Sequence, residues 1–400
     1  RINFMKLITL ITLLLSLRIV HAGDWTQFRG PLGNGVSSES GLPTTLSDKN
    51  LKWQVGLPGR GLSGVLVLDN NVLVTCSSGA TQNRLHVLCL NSKNGGLKWH
   101  RQFWATGRTM CHSKTSVAAP TPCSDGKFIY TVFSSNDVIC LDLNGNLQWL
   151  RGLTADYANV SKSLGMSSSP VVSGDVLVVQ VENDSESYAL GLNKKSGVNL
   201  WRLDRPKAAN WTSPVVLNNG LVALQSKQGI DAIRSTDGSK AWSYDGGAST
   251  IPSTSLSRGV LYIPSHGITA LKLNKADITN TPEQLWQSSR LSPATASPLI
   301  LSGKVYTVNR AGVLTAGDIK SGDRLWQLRL KGPFSATPVA VGEYLYCFNE
   351  TGLMQVVDTT AKEGEIVGKL NLNDQILGSP AVGSSAIFVR SNTKVYKVAK

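Results

Sequence analysis

The chain has 400 residues, of which 40 are Lys or Arg and 26 are Asp or Glu, giving a formal net charge of +14. Apolar residues make up 41% and charged residues 16%, which excludes wholesale disorder and allows a substantial core. The 38 glycines are spread along the chain rather than collected in a linker. This distribution favours many short elements over a few long helices.

The first 22 residues are expected to be a secretory signal peptide. Lys6 precedes the apolar run LITLITLLLSL, which is too short to span a membrane, and Val20 and Ala22 occupy the −3 and −1 positions of the expected cleavage site. Residues 1–4 are interpreted as an upstream extension. The predicted mature chain begins at Gly23 rather than at a cysteine that could carry lipid. We therefore expect an exported protein, periplasmic or extracellular, without a membrane span.

Beyond a lead-in at residues 23–49, a glycine followed four residues later by tryptophan recurs along the chain. NKKSGVNLW and DIKSGDRLW are two examples. Tryptophans 40–52 residues apart, the size of one β-propeller blade, are expected to dock neighbouring blades: Trp53, Trp99, Trp149, Trp201, Trp242, Trp286 and Trp326. Their large rings cover apolar area while the indole N–H can reach a backbone oxygen.

A second phrase precedes each tryptophan. SPVV occurs twice, and SPLI, TPVA and SPAV are variants of it. A glycine turn and an alternating apolar run such as VLVVQV follow, as is typical of a β-hairpin. Each repeat therefore reads as four short antiparallel strands. Such a sheet buries both faces only when it is stacked in a ring.

Counting the repeats predicts an all-β fold, an eight-bladed β-propeller formed by residues 50–400 as a single domain. Seven blades is the alternative if blade 7 or blade 5 is not a full sheet; the seventh repeat has Gly368 where the others have tryptophan. The last repeat ends at Lys400 without a fourth strand, and the segment around Trp53 has no first three. We expect this N-terminal strand to complete the last blade. Inner strands are expected to start near Gly64, Pro122, Pro170, Pro214, Pro252, Pro298, Pro338 and Pro380.

These phrases resemble the repeat of the pyrroloquinoline-quinone (PQQ)-type propeller family, and the similarity covers nearly all of residues 50–400. The lead-in at 24–43 resembles the start of exported bacterial propellers. The resemblance implies either of two functions. Quinoprotein alcohol dehydrogenases bind PQQ with calcium, whereas the propeller of the outer-membrane β-barrel assembly machinery is a non-enzymatic lipoprotein.

A calcium-assisted quinone site needs a cluster of oxygen ligands. Glu182, Asn183 and Asp184 are the weak candidates, and a solvated polar turn is the competing interpretation. Trp211 could line the channel beside a cofactor or serve in packing. The sequence lacks adjacent cysteines, histidines at metal spacing and the common hydrolase and phosphate-binding motifs. No catalytic or metal-binding residue is therefore assigned.

Two long segments between blades, residues 100–120 and 150–169, are the expected interaction surface. The first contains Arg101, Trp104, Arg108 and Lys114 without acidic residues. Basic and aromatic side chains suit an anionic polysaccharide or an acidic protein face. Packing of the aromatic residue into a blade joint is the competing interpretation.

Arg60 belongs to the same set of partner-binding candidates. It stands in GLPGRGLSG, just before the first blade, and its flanking glycines let the backbone approach a ligand closely.

Six cysteines occur without CxxC spacing, which gives no support to a redox or metal motif. Cys89 and Cys140 occupy equivalent places in successive repeats and are expected to be buried thiols. Cys111 and Cys123 are the pair that we expect first to form a disulfide.

Taken together, the sequence predicts a non-catalytic, monomeric exported propeller that binds a protein or anionic polysaccharide at the cell envelope. No cofactor is expected. The alternatives are a PQQ- and calcium-dependent alcohol or sugar dehydrogenase and a polysaccharide-binding propeller. Nucleic acid is not an expected partner, because no run typical of its readers occurs.

Overall fold

Short antiparallel strands make up almost all of the regular structure. The computed structural model describes residues 23–158, 164–274, 277 and 279–400. Within them, eight sheets of four antiparallel strands form an eight-bladed β-propeller, and a fifth strand joins one sheet. The predicted fold is confirmed, and the seven-bladed alternative is wrong. The signal peptide predicted at residues 1–22 lies outside the described residues.

Blades 1 to 4 follow two strands of the N-terminal segment. That segment contains β1 (Val36–Ser37) and β2 (Leu51–Gly56). Blade 1 contains β3 (Leu66–Leu68), β4 (Asn71–Ser78), β5 (Arg84–Asn91) and β6 (Leu97–Trp104), and blade 2 contains β7 (Cys123–Ser124), β8 (Phe128–Val132), β9 (Asp137–Asp142) and β10 (Leu147–Gly152). Blade 3 contains β11 (Val171–Ser173), β12 (Val176–Val181), β13 (Tyr188–Asn193) and β14 (Asn199–Asp204), and blade 4 contains β15 (Val215–Val216), β16 (Leu221–Ser226), β17 (Gly229–Arg234) and β18 (Lys240–Tyr244).

Blades 5 to 8 complete the ring. Blade 5 contains β19 (Ser255–Ser257), β20 (Val260–Ile263), β21 (Ile268–Lys272) and β22 (Glu283–Ser288), and blade 6 contains β23 (Leu299–Leu301), β24 (Lys304–Val308), β25 (Val313–Asp318) and β26 (Arg324–Arg329). Blade 7 contains β27 (Val339–Val341), β28 (Tyr344–Phe348), β29 (Leu353–Asp358) and β30 (Glu365–Asn371), and blade 8 contains β31 (Ala381–Gly383), β32 (Ala386–Arg390) and β33 (Lys394–Val398) together with β2.

Helices are short in the described residues. They comprise α1 (Leu153–Asp156) and the 3-10 turns Asp48–Asn50 and Asn218–Gly220. In this part of the chain, no helix has the length and apolar character needed to cross a membrane.

The ring closes through β2, as the sequence predicts. β2 pairs antiparallel with β33, with Trp53 opposite Lys397 and Val55 opposite Val395. The fourth strand of blade 8 thus comes from the opposite end of the chain. This pairing leaves no gap between the first and last blades.

Tryptophan and glycine of the recurring phrase interlock successive blades. The indole N–H of Trp99 in blade 1 donates to the carbonyl of Leu143 in blade 2, at 3.0 Å. Gly145, in the same blade 2 turn, lies against that ring, and a Cβ at this position would be 2.7 Å from it. The same contact joins Gly95 to Trp53, Gly197 to Trp149, Gly238 to Trp201, Gly322 to Trp286 and Gly364 to Trp326.

The missing tryptophan of blade 7 is explained by the lead-in. A Cβ at Gly368 would lie 2.0 Å from the backbone oxygen of Thr44, and the side chain of Leu46 is also close. Leu42 and Leu46 pack into the core shared with blades 7 and 8. The lead-in therefore passes close to Gly368, and this close approach leaves no room for a tryptophan side chain there.

The lead-in also covers one end of the central channel, which we call the lower end. Trp25 exchanges backbone hydrogen bonds with Val67 of blade 1, at 2.7 and 3.1 Å. β1 then adds to β27 as a parallel fifth strand of blade 7. The opposite, upper end carries the segments between blades and the turns between second and third strands.

Arg29 fastens the middle of the lead-in. Its guanidinium donates to the backbone oxygens of Thr254 in blade 5, at 3.1 Å, and Pro298 in blade 6, at 3.0 Å. A third bond reaches the hydroxyl of Ser255. Because Arg29 is only 3% exposed, these bonds form in a low-dielectric environment and hold the lead-in across the ring.

Candidate functional site

A ring of hydroxyl groups surrounds the central channel. Each blade except one places a Ser or Thr just before its inner strand. In blades 2 to 7 the backbone N–H of that residue donates to the corresponding hydroxyl of the next blade. Thr121 N–H bonds Ser169 at 3.0 Å, and Ser297 N–H bonds Thr337 at 2.9 Å. The members of this hydroxyl ring are Thr121, Ser169, Ser213, Ser253, Ser297, Thr337 and Ser379.

The eighth position of the ring is Gly64, in blade 1. Its N–H donates to the hydroxyl of Thr121 at 2.7 Å, but it has no side chain to accept from Ser379. Among the described groups, the backbone N–H of Ser379 has no hydrogen-bond acceptor. The chain of hydrogen bonds around the channel is therefore open between blades 8 and 1.

The hydroxyl ring lines a cavity of about 400 Å³ at the upper end of the channel. Phe28 of the lead-in contributes to the lower part of its lining, and Trp211, Ile251 and Leu377 contribute apolar surface near the mouth. Of the described residues in the lining, His112 and Lys114 are basic and none is acidic. The upper cavity thus combines apolar surface with hydrogen-bond donors and positive charge.

The segment between blades 1 and 2 borders the mouth. Lys114 forms a 3.4 Å ion pair with Glu350 of blade 7, and the guanidinium of Arg60 donates to the backbone oxygen of Ser113 and, at 3.1 Å, to Asn392. Among the partner-binding candidates, the structure therefore brings Arg60 and Lys114 together at the channel.

The remaining partner-binding candidates lie farther out. β6 extends to Trp104, so the prediction that residues 100–120 form a loop is wrong for their first five residues. Arg101 donates to the backbone oxygen of Gly145 at 2.6 Å and belongs to the blade joint. Trp104 is 60% exposed, with the guanidinium of Arg84 5.6 Å from its ring. Arg108 is exposed in the following segment.

The acidic cluster proposed from the sequence is divided by the fold. Asp184 is exposed, whereas Glu182 and Asn183 are buried. Glu182 accepts from Arg205 at 2.5 Å and from Asn210 at 2.9 Å. Burial raises the pKa of Glu182, and the charge of Arg205 opposes this change. Both oxygens of the Glu182 carboxylate are thus used in hydrogen bonds within the chain.

A calcium-assisted quinone site is not supported by this arrangement. Calcium in proteins takes six to eight oxygen ligands, several of them carboxylates. In the part of the chain that the structure describes, no three His, Cys, Asp or Glu side chains come close enough to hold a metal ion. Trp211 does line the channel, but Glu182, Asn183 and Asp184 do not form a ligand set beside it.

The cysteines are all unpaired within the described residues. The disulfide expected between Cys111 and Cys123 is therefore wrong, because Cys123 is buried in the core of blades 2 and 3 whereas Cys111 lies near Gln82 at the upper end. Cys89 and Cys140 are buried as predicted.

The site residues that the sequence analysis missed are the hydroxyl ring and Phe28. The recurring SP and TP pairs carry the signal for the ring, since five of its seven hydroxyls belong to SP or TP pairs that follow one another at repeat spacing, and Thr121 belongs to a sixth. Ser253 stands after a proline rather than before one, which hides it. Phe28 has no comparable sequence signal, because its place depends on how the lead-in folds back.

Comparisons with known proteins agree with this architecture. The family model described as outer membrane protein assembly factor BamB matches residues 36–189, 105–260, 159–346, 273–367 and 310–399. No protein of curated function matches the sequence.

Solved structures include similar propellers. BamB from Moraxella catarrhalis is 17% identical with a TM-score of 0.63, over 88% of this chain and 97% of that one. A europium-containing methanol dehydrogenase is 12% identical with a TM-score of 0.72, over 95% and 98%. Quinohemoprotein alcohol dehydrogenase from Comamonas testosteroni is 11% identical with a TM-score of 0.70, over 94% and 80%. At these identities the likeness to each structure shows the fold alone. The family model, in contrast, matches the sequence itself over most of its length. The chain therefore belongs to the PQQ-type propeller family described as outer membrane protein assembly factor BamB.

Proposed function

We propose that this protein is an exported, non-catalytic platform that binds a partner protein at the cell envelope through its upper face. The observation that carries the proposal is the difference between the two ends of the channel. The lead-in covers the lower end, while the upper end is open and bordered by the long segments between blades. Loops on a rigid scaffold are the usual place for binding residues.

Exposed apolar side chains support the choice of the upper face. Of the ten large apolar side chains exposed in the described part of the chain, three lie at that end of their blades, with Trp104 60% exposed, Met110 63% and Ile251 47%; the other seven lie in the lead-in and in or beside outer strands. Trp104 ends β6 and Met110 lies in the segment that follows it between blades 1 and 2, and exposed apolar side chains that cluster among polar ones are typical of protein interaction sites. Arg108 and Lys114 add positive charge to the same face, so an acidic, partly apolar protein segment is the expected partner.

A PQQ- and calcium-dependent dehydrogenase is the second candidate, because two of the similar structures are a methanol dehydrogenase and a quinohemoprotein alcohol dehydrogenase. The commitment of Glu182 to Arg205 and Asn210 does not favour it. We therefore derive no reaction step for this protein. An anionic polysaccharide remains the alternative partner, with Trp104 and Arg84 as its stacking and charged groups.

Site-specific photo-crosslinking in cells tests the platform. A photoreactive amino acid replaces Trp104 on the upper face or, as a matched control, Leu32, which is 70% exposed on the lower face. Both side chains are exposed, so neither replacement should disturb the core. We expect one defined protein adduct from position 104 and none from position 32. Equal adducts at both positions, or none at either, would contradict the proposed face.

Calorimetric titration with PQQ in millimolar calcium separates the two candidate functions. The platform predicts no calcium-dependent heat. Calcium-dependent binding at micromolar or lower PQQ would support the dehydrogenase instead.

Export is tested separately. N-terminal sequencing of the periplasmic protein would show whether the chain is cleaved before Gly23.

Anionic polysaccharide is tested separately with polygalacturonate and the Trp104→Ala variant. If polygalacturonate binds the parent protein at least tenfold more tightly than the variant, the result would support a glycan as the partner instead of a protein. Equal or absent binding would remove the glycan from consideration.

A further inference from the structure

The hydroxyl ring contains more hydrogen-bond donors than the protein itself uses. Each hydroxyl oxygen in the ring accepts one backbone N–H, at 2.7–3.0 Å. A serine or threonine hydroxyl also has a proton to donate. None of the seven hydroxyls donates to any group in the described part of the chain, although other hydroxyls in the same cavity do, such as Ser335 to Glu350 at 2.6 Å.

These unused donors are buried. Thr121, Ser169 and Thr337 are 2–3% exposed, and of the seven ring members only Ser379 is more than slightly exposed. Each of these groups is satisfied as an acceptor but leaves its own hydroxyl proton without an acceptor among the described residues. Seven such groups on one cavity wall, with the free N–H of Ser379 beside them, therefore favour a ligand that offers several acceptor atoms.

The cavity lining offers a negatively charged acceptor several hydrogen-bond donors and the ammonium of Lys114, which Glu350 pairs with at 3.4 Å from outside the lining. The described lining contains His112 and Lys114 and no acidic side chain. Hydrogen bonds to an ionised acceptor are about twice as strong as those between neutral groups. At about 400 Å³, the cavity falls in the size range of small-molecule sites.

The remaining lining is apolar. Phe28 lies near the ring, and Trp211, Ile251 and Leu377 lie nearer the mouth. We infer that the upper cavity binds a small carboxylate, with the carboxylate oxygens accepting from the hydroxyl ring and an apolar body against Trp211 and Ile251. The carboxylate belongs either to a free small acid or to the C-terminus of a peptide that enters from the mouth. This inference does not depend on the platform function.

Calorimetry with two matched pairs of probes tests the site. Phenylacetate is compared with phenylacetamide, which has the same shape without the charge. The hexapeptide AASAAF with a free C-terminus is compared with its C-terminal amide. We expect at least one acid to bind, and its amide to bind at least tenfold more weakly. Tighter binding of phenylacetate supports a free acid, and tighter binding of the peptide acid supports a chain terminus.

Variants of the ring and the mouth show where the acid binds. Thr337→Val removes one hydroxyl with little change of shape, and Thr337→Ser keeps it. We expect the first to weaken binding of the acid several-fold and the second to leave it unchanged. Lys114→Gln changes a residue outside the ring. It should reduce the affinity for the acid by a larger factor in 20 mM NaCl than in 500 mM NaCl, because salt screens charge.

The controls decide the result even if one variant is unstable. Circular dichroism and thermal unfolding should show that Thr337→Val and Thr337→Ser fold alike. Equal binding of acid and amide, no binding of either acid, or unchanged affinity in folded Thr337→Val would each overturn the inference.

Discussion

At the scale of single residues, this protein buries two arginines, Arg29 and Arg390, without acidic partners. Arg29 and Arg390 are 3% and 1% exposed, and both guanidinium groups bond backbone oxygens and hydroxyls rather than carboxylates. Burial lowers the pKa of Arg29 to about 9 and that of Arg390 to about 10. Each side chain spans two neighbouring blades or the lead-in and the ring. Five donors in a fixed plane suit such multiple contacts.

The buried imidazole of His86 should make the stability of the protein depend on pH. His86 is 2% exposed, its Nδ1 lies 2.9 Å from Nε2 of His100, and its Nε2 lies 2.7 Å from the hydroxyl of Ser78. Burial, together with the smaller effects of the charges of His100 and Arg84, lowers the pKa of His86 to about 4. Between pH 6.5 and 4 the unfolded chain thus binds a proton that the folded chain does not. The free energy of unfolding should fall by about 3 kcal/mol as the pH decreases through this window.

Urea unfolding of His86→Gln at several pH values checks this expectation. The variant should lose most of the pH dependence between 6.5 and 4 relative to the parent protein. His266→Gln, which removes an exposed imidazole, is the control. A parent and His86→Gln with the same slope would show that this imidazole titrates alike in both states.

Some properties of single residues were predictable from the sequence, and others depend on contacts with distant residues. Buried Cys89 and Cys140 were predictable because equivalent repeat positions hold small apolar residues. The separation of Cys111 from Cys123 was not predictable, because the path of the segment that carries Cys111 depends on contacts with distant parts of the chain. Glu182 looked like a ligand by composition, yet Arg205, 23 residues later, determines its role.

At the scale of elements, the recurring phrase couples each turn to the previous blade. Glycine and tryptophan of one phrase do not serve the same joint. The glycine contacts the tryptophan of the blade before it, and the tryptophan contacts the glycine of the blade after it. This arrangement explains why blade 7 keeps Gly364, which lies on Trp326, although it has no tryptophan of its own.

Replacing Gly145 by alanine tests the coupling between blades. Gly145 has φ 80°, and a Cβ there would be 2.7 Å from the Trp99 ring; Gly303 has φ 77° with nothing within 4 Å of its Cβ. Both changes should cost about 1 kcal/mol for the left-handed backbone. Only Gly145→Ala should add about 1–3 kcal/mol for overpacking. Equal losses in chemical unfolding would mean that the ring contact contributes nothing.

Most elements were predictable because the same sequence pattern occurs in successive blades. Period and turn chemistry located all eight blades, and inner strands begin within three residues of their predicted starts. The extension of β6 to Trp104 was missed because no later repeat has a fourth strand of that length. The hydroxyl ring was visible as a repeated phrase, but its chemistry requires knowing that the phrases converge on one axis.

At the scale of the whole molecule, stability depends on joining two ends of the chain. β2 lies opposite β33, and the lead-in before it contacts blades 1, 5, 6 and 7. In blades 1 to 7 the fourth strand comes from the same repeat as the third. Closing the ring therefore carries a loop entropy cost that no single blade has.

A pair of disulfides measures the cost of closing the ring. Gly56 is opposite Lys394 across the closing pair, and Val313 is opposite Arg329 within blade 6. Cysteines at the first pair enclose a loop of about 340 residues, and at the second about 16 residues. The chain-entropy relation then predicts that the closing disulfide stabilises by about 3 kcal/mol more than the local one. Each oxidised variant is compared with its reduced form in denaturant, which cancels the effect of the substitutions themselves. Equal stabilisation by the two would mean that β2 and β33 stay together in the unfolded chain, so that closure is not the weak step of this ring.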